Sequence, residues 1–164
     1  MAWLATVWGG VTTDPATANG PSRTVRARGI AFTWRHAQGR LHGSLSAETT
    51  GWLAVGFNDK RTLRGTRFVI GRVVDGRAHA EVHIARVPDH AEVGTLGGVS
   101  GLADVAGGRT RDETWLTFSL PLKSGDDFEI DLSPGRKVLL MLGWSLSPDF
   151  DHHSRVREHR DVVL

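Results

Sequence analysis

Along most of this chain, short apolar stretches alternate with polar residues at period two and are separated by glycine-bearing turns, a pattern that commits a sequence to strands. Ile30, Phe32 and Trp34 alternate with Ala31 and Thr33, and Gln38-Gly39 then turns the chain. Leu41, Gly43, Leu45 and Ala47 continue the alternation against His42, Ser44 and Ser46. Residues 51–57 are apolar on both faces, as expected of a central strand. Residues 68–74 and 78–85 flank Asp75-Gly76, a strong hairpin signal. Residues 114–120 and the apolar run 137–144 are further strands, and residues 160–164 close the sheet. The glycine-rich stretch from Val87 to Gly108 reads as long loops with one edge strand, and no segment reads as a helix. Many short strands at regular spacing predict an all-β, antiparallel, immunoglobulin-like sandwich. Residues 1–28 are expected to form an irregular lead-in packed on one domain of residues 29–164.

Size and charge narrow the function. At 164 residues the chain can bury a core without staples, and its formal charge of +2 does not call for nucleic acid. No apolar run approaches the ~20 residues needed to span a bilayer, so no integral membrane span is expected. Residues Met1 to Trp8 lack the basic start and apolar length of a signal peptide. Cysteine is absent, which excludes disulfides, thiolate nucleophiles, c-type haem attachment, iron–sulfur clusters and cysteine-based zinc sites. The sequence has no G-x-S-x-G elbow, phosphate-binding loop, G-x-G-x-x-G or H-E-x-x-H, so a self-contained enzyme is not expected.

Histidines carry the chemistry that remains. His79, Glu81 and His83 share one face if residues 78–85 form a strand, and His90 follows. Imidazoles and a carboxylate on one face can hold a divalent metal, or line the solvated side of an edge strand. A second cluster, Asp149-Phe150-Asp151-His152-His153-Ser154-Arg155, belongs to a loop at one mouth of the sandwich. In an extended backbone adjacent residues point apart, so one of His152 and His153 is expected to enter a pocket there. Arg155 and Arg157 are placed to meet carboxylates.

The segment Leu45-Ser46-Ala47-Glu48-Thr49-Thr50-Gly51-Trp52-Leu53-Ala54-Val55-Gly56-Phe57-Asn58 resembles the signature of DOMON domains. These β-sandwich modules occur beside dopamine-type monooxygenases, in cellobiose dehydrogenase and in bacterial secreted proteins. The likeness continues through residues 65–76, resumes at 116–127 and ends in the Asp149-Phe150 and His153-Ser154-Arg155 region. It implies a module that binds b-type haem for electron transfer or haem sensing, outside the cytoplasm (periplasmic or secreted), beside a redox partner.

By that resemblance His153 or His152 is the iron ligand, and Arg155 or Arg67 holds the propionates. Family members that bind haem also carry a methionine shortly after the Gly-Phe-Asn block, where this chain has Leu63, and leucine cannot ligate iron. The only other methionine beyond Met1, Met141, lies in the apolar run 138–144 and reads as core. The sixth position is therefore open or filled by a second histidine, His90 or His83. The alternatives are a metal ion held by His79, His83, His90 and the His152-His153 pair, a small ligand such as a sugar lined by Trp34, Trp52 and Trp144, or a partner-interaction domain.

Overall fold

The computed structural model describes residues 20–164. Eleven strands occur in the order β1 (Arg23–Ala27), β2 (Ile30–Ala37), β3 (Arg40–Ala47), β4 (Leu53–Asn58), β5 (Arg67–Val74), β6 (Arg77–Ala85), β7 (His90–Glu92), β8 (Ala103–Arg109), β9 (Thr114–Pro121), β10 (Lys137–Trp144) and β11 (Val156–Val163). Among the described residues the only helical element is a single 3-10 turn, Val93–Leu96.

The strands form two antiparallel sheets, β1-β2-β3-β9-β8 and β11-β10-β4-β5-β6-β7. Period-two alternation sends one set of side chains from each sheet into a shared core. Phe32, Leu41, Leu45, Leu116 and Phe118 come from the first sheet, and Leu53, Val55, Phe57, Val69, Leu140 and Leu142 from the second. Each is 2% exposed or less, and burying a side chain of this size contributes about 1.5–3 kcal/mol. Phe32 lies at the centre, stacked on Trp34 and Phe118 and edge-on to Phe57. The chain is thus an all-β antiparallel sandwich, as the alternation predicts.

Three differences from the sequence reading have physical causes. Residues 23–27 are not irregular: they pair with β2 as an edge strand, which an Arg-Thr-Val-Arg-Ala stretch does not advertise. Residues 1–19 of the expected lead-in lie outside the described residues. The stretch 87–108 contains β7 and β8, both edge strands, instead of one. The closing strand begins at Val156, because β11 pairs with β10 along its whole length. The Asp75-Gly76 turn is as expected, with both residues at positive φ (50° and 71°).

Strand β4 is buried from end to end. Its odd residues face the core, and Ala54 on its other face joins a second apolar cluster with Trp52, Phe68, Ile70, Ala85, Met141 and Phe150. A strand with two buried faces needs cover on both sides. The loop between β10 and β11 supplies part of that cover on the outer face of the six-stranded sheet.

Candidate functional site

The outer face of the six-stranded sheet is hollow where its central strands carry small side chains. One row across the sheet, read from the register, is His159, Met141, Gly56, Phe68 and His83; the next is Arg157, Gly143, Ala54, Ile70 and Glu81. Gly143 and Ala54 lie at the middle of the second row and leave space that larger residues enclose, whereas Gly56, in the first row, lets Thr66, Phe68 and Met141 close together over it. A Cβ on Gly56 would stand 2.7 Å from Thr66, 2.9 Å from Phe68 and 3.0 Å from the Met141 methyl, so this position excludes any larger residue.

The resulting cavity holds about 460 Å³, inside the usual range for small-molecule and cofactor sites. Its floor is Trp52, Ala54, Phe68, Ile70, Ala85, Met141 and Gly143. Leu63 and the Val87–His90 turn form one wall; Asp151, His152, His153, Ser154 and Arg157 form the other.

The second wall is held down at several points. Trp52 Nε1 donates to the His152 carbonyl at 3.1 Å, and Arg72 donates to the Pro148 carbonyl at 2.8 Å. The Arg72 guanidinium also lies 4.5 Å from the centre of the Phe150 ring, a cation–π contact. Ser145 donates its hydroxyl proton to the His153 carbonyl at 3.0 Å. These bonds set the rings that follow. His152 Nδ1 lies 3.1 Å from the His153 carbonyl, which can only accept, so Nδ1 carries the hydrogen and Nε2 keeps its lone pair.

A chain of hydrogen bonds runs beside the first wall. His90 Nε2 donates to the Phe150 carbonyl at 3.2 Å, His90 Nδ1 lies 2.8 Å from His83 Nδ1, and His83 Nε2 lies 2.8 Å from Glu81 Oε2. His83 is buried between the rings of Phe68 and Phe150, with centroids 5.7 Å and 6.1 Å away. Burial first, and then the neighbouring His83, hold the pKa of His90 below the usual imidazole value.

The cavity gathers Leu63, Trp52, His152, His153 and His90 from the residues expected at a site. Both His152 and His153 border it, because they sit in a turn closed by His152 N–H donating to Asp149, where the strand rule of opposite faces does not apply. Other expectations are corrected. Arg67 is on the core side of β5, where it is buried against Asp126 and the Val99 and Ser100 carbonyls. Arg155 is exposed and does not line the cavity; Arg157, two residues on, does. Trp34 is in the core and Trp144 bonds the Arg28 carbonyl, so Trp52 is the only one of the three expected tryptophans at the cavity.

The metal set does not assemble either. His79 lies apart in a shallow hollow with Arg72, Val74, Arg77 and Pro148, while His83 and His90 have both ring nitrogens engaged. Among the described residues no three histidine, aspartate or glutamate side chains are placed to hold an ion. Sequence reasoning missed Met141. In the unbroken run Val138 to Leu142, periodicity does not reveal which face each residue takes, yet the register turns Met141 outward into the cavity floor.

No protein-family model matches this chain, and no curated protein is significantly similar to it. Solved structures are similar to it in fold. The cytochrome b domain of pyranose dehydrogenase from Coprinopsis cinerea superimposes with a TM-score of 0.60 at 11% identity, covering 82% of this chain and 76% of that one. The cytochrome domain of Myriococcum thermophilum cellobiose dehydrogenase gives 0.57 at 11% identity, covering 85% and 77%. This chain shares the fold of these cytochrome domains, the fold that its resemblance to DOMON domains implies. In this sandwich the cavity lies on the outside of a sheet rather than between the two sheets, and the central strands β4, β5 and β10 supply most of its floor. Among the described residues no helix is long and apolar enough to cross a membrane.

Proposed function

We propose that this DOMON module binds b-type haem in the cavity on its six-stranded sheet and serves in electron transfer or haem sensing outside the cytoplasm. The observation that carries this reading is the donor set. The cavity combines a thioether, Met141, in its apolar floor with the imidazoles of His152 and His153 in its wall, on a fold shared with two cytochrome domains. Soft sulfur and imidazole together suit low-spin haem iron. The apolar floor suits a porphyrin face, and Arg157 stands at the rim to meet a propionate.

When bound, haem supplies a one-electron couple; the chain supplies its placement. His152, with its hydrogen fixed on Nδ1, offers Nε2 as a ready ligand. The His153 ring makes no hydrogen bond among the described residues, which leaves both of its nitrogens available. Met141 is the second donor, replacing from β10 the thioether that Leu63 lacks. Trp52, Phe68 and Ile70 keep water from the floor. His152 and His153 are exposed, so an electron-exchanging partner protein would meet the module at this edge. The module acts as a carrier and not as a catalyst.

Visible spectra of the purified protein, oxidised and reduced, with and without added hemin, test this reading. A sharp Soret band with resolved α and β bands on reduction is expected. Met141→Leu is expected to turn the low-spin spectrum high-spin while keeping haem. Of His152→Ala and His153→Ala, the one that removes the ligand abolishes the bands. Hemin that produces no specific spectrum would falsify haem binding.

A further inference from the structure

We infer that Glu81, His83 and His90 form a proton relay that couples the charge of the group in the cavity to proton uptake from water. The inference rests on the haem reading above and adds a device that this reading does not require.

The hydrogen-bond pattern fixes where the protons are. The Phe150 carbonyl can only accept, so His90 Nε2 carries a hydrogen. Burial and the neighbouring His83 lower the pKa of His90, which favours the neutral ring with Nδ1 as an acceptor. His83 Nδ1, 2.8 Å away, must therefore be the donor in that bond. His83 Nε2 then faces the Glu81 carboxylate at 2.8 Å, and one hydrogen must lie between nitrogen and oxygen. Three residues in line share one mobile proton, and every link is already at hydrogen-bond length.

Such a line can move charge without moving heavy atoms. His83 passes its Nδ1 hydrogen to His90 Nδ1, while the proton between Glu81 and His83 settles on His83 Nε2. The result is a cationic His90 at the cavity wall, a neutral His83 and an ionised Glu81 at the far end. The His83 side chain is 9% exposed and that of Glu81 38%, so the middle of the line is closed to water while its Glu81 end is open; His90, half-buried, borders the cavity, where a bound group would cover it. With haem held in the cavity, its one-electron reduction by an external donor would add negative charge there, which would favour the cation on His90. Glu81 would then take one proton from water, so that one electron and one proton enter together.

Other charged groups near the relay come from every element packed on it. His79 lies on β6 itself, Arg72 on β5 stacks on Phe150, and Glu92 on β7 is the register partner of His83. Arg86 and Asp89 flank the turn before β7 and pair with each other, and Asp151 approaches from the β10–β11 loop. Of these, Glu92 is engaged with Thr95, and Asp89 and Asp151 both favour the cationic form of His90. None of them joins the chain of bonds.

The test is the reduction potential of the hemin-loaded protein, followed spectroscopically from pH 5 to 8 in the wild type and in Glu81→Gln. The wild-type potential is expected to fall as pH rises, and Glu81→Gln to lose that slope while keeping the haem spectrum. His83→Phe, which keeps the ring packing but breaks the chain, is expected to lose it too. A specific haem spectrum with a pH-independent wild-type potential, or with the same slope in Glu81→Gln, overturns the relay and leaves haem binding standing. Absence of any haem spectrum overturns both.

Discussion

Arg67 ends among oxygens: both Asp126 oxygens lie 3.2–3.3 Å from its Nη1, and the Val99 and Ser100 carbonyls accept from Nη2. Each side chain of this pair is 6% exposed, so removing one partner strands a buried charge. Arg67→Ala is therefore expected to destabilise the fold by about 3–5 kcal/mol, read from urea unfolding midpoints. The pair also sets an acid limit. Burial alone would raise the Asp126 pKa, but hydrogen bonds from the Val99 amide and Ser124, with the charge and hydrogen bonds of Arg67, bring it below the usual value of 3.8. Its contribution is fully present above pH 3.8 and is lost as pH falls through the folded-state pKa, so acid should narrow the gap between wild type and Asp126→Asn. An unchanged gap between pH 5 and 2.5 would contradict this. Single residues were the least legible scale in the sequence. Arg67 looks like an anion-binding arginine until the register turns it inward, and Met141 looks like core until the register turns it outward.

At the scale of elements, reading succeeded where one face is wet and faltered where both faces are alike. Strands β2, β3 and β9 alternate cleanly and were legible, as was the β5–β6 hairpin with its Asp75-Gly76 turn. Strands β1 and β8 are polar or glycine-rich edges with little apolar content, so period-two counting passes over them. Strands β4 and β10 were visible as buried strands, but the partition of their residues between core and cavity was not. Gly56 lies at that divide, and Gly56→Ala presses on Thr66, Phe68 and Met141 together. The expected cost is about 1–3 kcal/mol of stability, with weakened hemin uptake in a spectroscopic titration. Gly76→Ala, at a turn position with open space but φ of 71°, serves as a control that lowers stability without touching uptake.

For the whole molecule, the general position of the cluster from Asp149 to Arg155 beside a sandwich was legible, whereas the sheet that receives it depended on which strands pair over long separations in sequence. Two residues apart in sequence by decades, Leu63 and His153, border one cavity only because β4, β5, β10 and β11 belong to the same sheet. A ligand that binds only the folded state stabilises it by about 2.7 kcal/mol at a hundredfold excess over its dissociation constant. Hemin at that excess should raise the melting temperature by several degrees, and His152→Ala with His153→Ala should remove the gain. The cavity shares the six-stranded sheet with the core but lies on its other side, separated from Leu53, Val55 and Leu140 by the thickness of a backbone. Folding and filling can therefore be separate events: while the cavity is empty the chain has no gap in its interior to repair, so whatever the cavity takes can arrive after the fold is complete.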